Sequence, residues 1–313
     1  MKKALLTGGN GNLGRHVADR LLDAGIEVVK FDLLGTEPET THSGEEIVTG
    51  DIRDSGLVEN ILRQHKPDAV YHLASLLSGS SEDDLATAWG INATASFDLM
   101  RLAMENDVRT LFFASTGASY GPGLDDPLPE DAEQWPETMY GATKVAVERL
   151  GGYFKTKHGL DFRCLRFPLV VSPFAPRTAV TAYPSHAFKA ALAGEPFVFP
   201  VSPGVGMSAM FFEDVIDGIV KFTLAERTCV RRHAYNLHAY FVSAEMVTEQ
   251  ILEHVPTFQF SYQPVAAVES LITAWPDVIQ DQSARDHWGW DPQFDFAKSA
   301  ARMFELLRGD DPV

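Results

Sequence analysis

Tyr140 and Lys144 are the residues whose types and spacing most directly suggest chemistry. In the stretch Met139 to Glu148, M-Y-G-A-T-K-V-A-V-E, they stand four positions apart. On a helix that spacing stacks them on one face. A phenol ionises near pH ~10 and is a poor base at neutral pH, but an adjacent ammonium favours the phenolate and lowers that value. The pair is an acid/base unit if something reactive lies against it. The same spacing also occurs in helices with no such role, so the surrounding elements decide.

The first of these elements is at the N-terminus. Lys3 to Thr7 is an apolar run that fits a buried strand, and Gly8, Gly9, Gly11 and Gly14 follow at once. From Asn12 to Ala24, Leu13, Val17, Leu21 and Leu22 recur with a helical period. In a strand–turn–helix unit such glycines let backbone N–H groups approach a pyrophosphate at the helix N-terminus. The spacing reads either as Gly9-x-Gly11-x-x-Gly14 or as Gly8-x-x-Gly11-x-x-Gly14. A second strand, Glu27 to Phe31, ends at Asp32. An acid there is placed to accept hydrogen bonds from an adenosine ribose and to repel a 2′-phosphate. Leu33, Leu34 and Gly35 bring no arginine, so NAD is expected rather than NADP.

Further strands are expected at Glu46 to Thr49, closed by Asp51-Ile52-Arg53, at Ala69 to Leu73, at Thr110 to Ala114 ahead of Ser115-Thr116, and at Asp161 to Phe167, where Pro168 ends the pairing. Helices are expected at Ser55 to His65, capped by Asp54, at Glu82 to Asn106, and at Tyr140 to His158. This alternation implies a doubly wound parallel sheet, with ligands beyond the carboxyl ends of its strands. Gly9, Asp32, Asp51, Ala74 and Thr116 all fall there. Beyond Pro168 comes a connection from Val171 to Pro184. Helices follow at Ser185 to Ala193, Glu213 to Glu226, Ala244 to His254, Asp281 to Trp288 and Phe294 to Leu307. Short strands are expected at Pro196 to Phe199, Ala234 to Leu237 and Phe258 to Tyr262, and Ala209 to Phe212 leads into the helix that starts near Glu213. Residues 1–168 read as a dinucleotide-binding domain to which the chain later returns, and 169–313 mainly as a second lobe.

The chain's 313 residues suit two lobes at ~150 residues each. A hydrophobic content of 45% with 22% charged residues is that of a soluble globular protein. A net charge of −17 argues against nucleic acid or an anionic membrane as partner. Cys164 and Cys229 stand far apart, which suggests a reducing compartment. The short apolar N-terminus is no signal peptide, and no run of ~18 apolar residues occurs, so a cytoplasmic protein is expected. The histidines show no metal-ligand spacing, and no metal is expected.

Taken in order, Gly8, Gly11 and Gly14, Asp51-Ile52, His72-Leu73-Ala74, Asn92, Ser115-Thr116, Tyr140-x-x-x-Lys144 and Arg166-Phe167-Pro168 resemble the extended short-chain dehydrogenase/reductase family, also called NAD-dependent epimerase/dehydratase. The resemblance implies a Rossmann-type fold with a smaller interleaved C-terminal α/β substrate lobe, NAD as cofactor, and a homodimer formed through Glu82 to Asn106 and Tyr140 to His158. It gives Tyr140 the acid/base role. Lys144 would orient the nicotinamide ribose and lower the phenol pKa, and Thr116 would bind the reacting oxygen. It assigns the cofactor to Gly8, Gly11, Asn12, Leu13, Gly14, Asp32, Asp51, Ile52, Leu73, Ala74, Ser75, Asn92, Tyr140, Lys144 and Phe167.

A narrower similarity, to short-chain-type L-threonine 3-dehydrogenases, rests on His72 to Ser78, Met207 to Asp214, Tyr235-Asn236-Leu237 and the tail from Trp275-Pro276-Asp277 through Trp290. It implies a small polar substrate contacted by Ser78, Ser115, Arg177 and Thr181. Ala182 stands where those enzymes carry an acid, and Thr116-Gly117 stands where they carry Ser-Ile. Nucleotide-sugar epimerases of the family carry a cation before Asp214 to bind the diphosphate. Gly206 to Asp214 has no Arg or Lys, which favours a smaller substrate. The readings are therefore a dehydrogenase of a small hydroxylated substrate, a sugar or nucleotide-sugar epimerase without net NAD turnover, or a non-catalytic sensor, which the intact Tyr140 and Lys144 disfavour. Packing roles are expected for His72, Ser119 and Tyr120, and an acidic partner in the tail for Arg285.

Overall fold

The computed structural model describes residues 1–33, 43–176 and 179–309. Arg177 lies outside the described residues. The strands in chain order are β1 (Lys3–Thr7), β2 (Glu27–Asp32), β3 (Glu45–Thr49), β4 (Ala69–His72), β5 (Thr110–Thr116), β6 (Asp161–Phe167), β7 (Leu169–Val171), β8 (Phe197–Phe199), β9 (Gly206–Phe211), β10 (Ala234–Asn236), β11 (Tyr240–Ser243) and β12 (Phe260–Tyr262). The helices are α1 (Asn12–Asp23), α2 (Ser55–His65), α3 (Ser78–Asp83), α4 (Leu85–Trp89), α5 (Ala95–Glu105), α6 (Met139–His158), α7 (Tyr183–Ala193), α8 (Phe212–Leu224), α9 (Ala244–His254), α10 (Ala266–Thr273), α11 (Gln282–Trp288) and α12 (Phe296–Arg308).

Strands β3-β2-β1-β4-β5-β6-β10 form one parallel sheet in that order. Alternate side chains enter opposite layers. Ala4, Leu6 and Val28 pack with Val17 and Leu21 of α1 and with Val215 and Ile219 of α8. Leu5, Val29 and Val70 pack with Leu62 of α2, Leu99 of α5 and Val147 of α6. Each buried valine, leucine or isoleucine among them contributes ~1.5–3 kcal/mol. This is a doubly wound Rossmann-type fold, and the winding reverses between β1 and β4, where a crevice opens for ligand.

The helix edges follow local chemistry. Asp54 accepts the Leu57 N–H at 3.0 Å and caps α2. Thr138 accepts the Gly141 N–H at 3.1 Å and caps α6, which ends at Gly159 in the left-handed region (φ +75°). The sequence predicts one helix from Glu82 to Asn106, and the structure breaks it. Asp84 is extended (φ −143°, ψ 91°) and caps α4 through the Thr87 N–H. A π-helical turn at Gly90–Thr94 then separates α4 from α5. Both breaks lie where the chain passes α6, and the π turn carries Asn92.

After Pro168 the chain leaves the main sheet. β7 joins β9 and β11 in a three-stranded sheet, and β8 pairs with β12. The pattern missed β7, β11 and α10. It also read Ala209 to Phe212 only as the lead into a helix starting near Glu213, whereas a strand, β9, runs from Gly206 to Phe211 and the helix begins at Phe212. β10 returns to the edge of the main sheet beside β6, and α8 packs on α1. Segments from beyond Pro168 thus return to the main sheet and to its α1 layer.

Candidate active site

The glycine turn lies at the reversal point of the sheet. Gly8 has φ +70°, and a Cβ there would meet the Ala74 nitrogen at 2.7 Å, so the end of β4 presses directly on the turn. A Cβ on Gly14 would lie 2.2 Å from the Gly8 carbonyl. These two positions admit only glycine. Helix α1 starts at Gly11 with no side-chain cap and no acid in its first turn. Its first N–H groups, on Asn12 and Leu13, are thus left for an outside acceptor. Asp32 ends β2 and accepts the Asn10 N–H at 2.9 Å and the Leu33 N–H at 2.8 Å, which fixes the carboxylate beside the turn. A close-approach turn, an open helix N-terminus and an acid at the end of β2 fit a dinucleotide. Asp51 pairs with Arg53, whose hydrogen bonds hold the carboxyl below its usual range, and Ile52 beside it is buried.

Across the crevice, α6 presents Tyr140 and Lys144. Lys144 is buried; its Nζ donates to the Ala114 carbonyl at 2.9 Å and lies 4.7 Å from the centre of the Phe113 ring and 5.2 Å from that of Tyr140. The pair is assembled as its spacing predicts, but the electrostatics run the other way. Burial pushes the Tyr140 phenol up to about 12 and lowers the Lys144 ammonium to about 8, with the Glu148 charge opposing the latter. In the protein alone, burial sets the direction of the phenol's shift. Thr116 ends β5 opposite Phe167, and its Oγ1 accepts the Ala118 N–H at 3.1 Å, which leaves its own proton for another acceptor. Trp275 closes on Gly117, 3.6 Å from where a Cβ would stand.

Asn92 is buried and does not face an open crevice. Its Oδ1 accepts the Leu76 N–H at 2.8 Å and the Ser75 hydroxyl at 3.1 Å, and its Nδ2 donates to the Leu76 carbonyl. It holds the chain after β4, including Leu73, Ala74 and Ser75, in place. Ser115 is likewise occupied: its buried hydroxyl donates to Glu148, away from Thr116 on the alternating strand. Ser78 is exposed at the start of α3. Thr181 is half-buried on a 3-10 turn leading into α7. His72 bonds Thr7 and Ser96 at 2.7 Å each, a satisfied core histidine. Arg285 pairs with Asp281 at 2.9 Å.

Residues 4–237 match the NAD dependent epimerase/dehydratase family. The chain belongs to this family. It is 29% identical to the mitochondrial L-threonine 3-dehydrogenase of Sus scrofa, over 97% of this chain and 82% of that protein. It superposes on the L-threonine dehydrogenase of Clostridium difficile with a TM-score of 0.92 at 28% identity, covering 99% of this chain and 98% of the other. A UDP-glucose 4-epimerase from Thermotoga maritima superposes at 0.87 with 22% identity, covering 98% and 99%, and shares the fold. NAD is the cofactor of this NAD dependent epimerase/dehydratase family member.

Within this family member, a buried polar network links the segments that carry the candidate site residues, and the sequence pattern did not show it. Arg166 forms a salt bridge with Glu148 at 2.6 Å, both side chains being at least nine-tenths buried. It also reaches the Tyr120 hydroxyl at 2.8 Å and Gln134 at 3.2 Å. Tyr120 donates to Asn236 at 2.6 Å, and Gln134 donates to Ser119 at 2.8 Å. Glu148 lies one turn beyond Lys144, and Ser115 and Arg166 directly precede Thr116 and Phe167. The only sequence signal was the i, i+4 step from Lys144 to Glu148.

Proposed function

We propose that this enzyme oxidises a secondary hydroxyl of a small polar substrate, an L-threonine-like β-hydroxy amino acid or a hydroxy acid. The carrying observation is the placement of half-buried Tyr140 and buried Lys144 on one helix face, across from a glycine turn that fits NAD. Bound NAD supplies the carbon that accepts the hydride. Thr116 donates a hydrogen bond to the reacting oxygen and holds it. Once its own proton has passed to solvent, the Tyr140 phenolate takes the hydroxyl proton as the carbonyl forms. Lys144 supplies a fixed positive charge beneath the phenol and orients the cofactor ribose. Ser78, Arg177 and Thr181 contact the substrate.

The small-substrate reading is supported by β9. Met207, Ser208, Ala209, Met210 and Phe211 are all 0–1% exposed, so the segment is a core strand with no cation for a sugar diphosphate. The similarity to L-threonine dehydrogenases agrees with this. A panel of threonine, other β-hydroxy amino acids and hydroxy acids tests the reading, with NADH absorbance as the readout. NADH should accumulate with at least one of them. Isomerisation of UDP-sugars with no NADH from any panel member would overturn it.

We also propose a homodimer and a cytoplasmic location. Phe97 (40% exposed) and Tyr153 (52% exposed) both pack on Phe154, and with Trp89 (46% exposed) they offer an apolar face on α4, α5 and α6. Cys164 and Cys229 are both free. No helix among the described residues is long and apolar enough to cross a membrane.

A further inference from the structure

Arg15 stands in the first turn of α1, where neither the glycine turn nor the acid/base pair accounts for an arginine. Side chains on a helix lean toward its N-terminus, so a residue at the fourth helical position reaches back over the first turn. The guanidinium of Arg15 lies 4.6 Å from the centre of the Phe174 ring, in cation–π contact. Phe174 is itself fixed to the same helix end. Its carbonyl accepts from Asn12 Nδ2 at 2.6 Å, and its ring lies 4.7 Å from that of His16 and 5.3 Å from that of Phe212. Among the described residues no carboxylate pairs with Arg15, and its buried Nε has no hydrogen-bond partner.

The neighbouring cations are otherwise committed. Lys30 forms a buried ion pair with Glu45. His16 is neutral, because burial, with the Arg15 charge adding to it, lowers its pKa to about 4. A chain of net charge −17 sets an unfavourable field for a bound diphosphate. The open N–H groups of α1 offer partial charges only.

We propose that Arg15 is a cofactor-binding residue, its guanidinium held on the Phe174 ring so that it pairs with the pyrophosphate of NAD. The segment carrying Phe174 is tied at its other side to α7, where the Ser172 N–H donates to Ser185 Oγ at 3.1 Å and Lys189 donates to the Ala175 carbonyl at 3.2 Å. The arginine thus joins the cofactor turn to the chain that leads into the substrate lobe.

Direct binding tests this. NADH, ADP-ribose and adenosine are titrated against wild type, Arg15→Gln, Arg15→Lys and Phe174→Leu, by protein fluorescence or by competition with NADH. Arg15→Gln should weaken NADH and ADP-ribose by roughly 10- to 100-fold, the weight of one or two charge-assisted hydrogen bonds, and leave adenosine unchanged. Arg15→Lys should fall between, since it keeps the charge but loses the fork. Phe174→Leu should weaken the same two ligands, and the double variant should bind no more weakly than Arg15→Gln alone. Wild-type affinity for ADP-ribose should also fall more steeply with salt than that of Arg15→Gln. An Arg15→Gln protein with wild-type NADH affinity would overturn the proposal, as would an equal loss for adenosine. If Arg15→Gln does not fold, wild-type affinity for both ligands in Phe174→Leu would also overturn it.

Discussion

At the scale of single residues, the site separates what spacing can announce from what burial decides. Tyr140 and Lys144 were legible because a helix converts a four-residue step into adjacency. The direction of their pKa shifts was not, because desolvation is a property of the assembled crevice. A phenol raised to about 12 is a strong base once ionised and gives up its proton only when charge beside it changes. Tyr140→Phe should therefore leave NADH affinity nearly intact and lower kcat by roughly 10²–10⁴-fold, the usual weight of a general acid/base. Thr116→Val should cost about 10²-fold as an oxygen-binding donor is lost, while Thr116→Ser should retain most turnover. Both are read as NADH formation with whichever panel substrate is active. Near-normal kcat in Tyr140→Phe would remove the phenol from the mechanism. Arg15 was passed over because its partner ring lies far along the chain at Phe174, a contact that no local pattern encodes.

At the scale of elements, the sequence showed strands β1 to β6 and helix α6 nearly to the residue, since period and caps agree there. It failed where tertiary contact overrides period. The stretch from Glu82 to Asn106 is helical by pattern, yet it is split by an extended Asp84 and a π turn. The turn lets Asn92 reach both the chain after β4 and Thr143 on α6. The Glu148–Arg166 network is invisible for a related reason: its members come from β5, α6, β6, β10 and a loop, and only the fold collects them. Its energetic weight is testable. Glu148→Ala would leave the Arg166 guanidinium buried without its carboxylate, at a cost of about 3–5 kcal/mol. Urea unfolding of this variant against wild type measures it. A loss below about 1 kcal/mol would show that solvent or neighbouring groups compensate the charge, and the network would then not be what fixes α6 to β5 and β6.

At the scale of the whole molecule, the C-terminal segment closes the fold onto the cofactor layer, and one of its ties is a buried acid. Asp214, in the first turn of α8, accepts the Gln293 N–H at 2.8 Å and the Phe294 N–H at 3.1 Å, and α8 in turn packs on α1. Burial pushes its carboxyl up to about 6 from 3.8; the two N–H groups oppose the shift, and the neighbouring Asp217 and Glu213 add to it. A carboxyl whose pKa is higher in the folded than in the unfolded chain contributes stability that is fully present below the unfolded value and is lost as pH rises through the folded one. For Asp214 that window runs from about pH 4 to pH 6, and the loss is roughly 2 to 3 kcal/mol, part of it screened by solvent. Asp214→Asn carries a fixed penalty, because the amide presents a donor to one of the two N–H groups, but it does not titrate. The stability of wild type minus that of Asp214→Asn should therefore fall as pH rises from 4 to 7, whatever its absolute size. Parallel denaturant unfolding across that range gives the difference directly. A flat difference would mean that Asp214 stays ionised throughout, with the two N–H groups stabilising the carboxylate enough to cancel the cost of burying it.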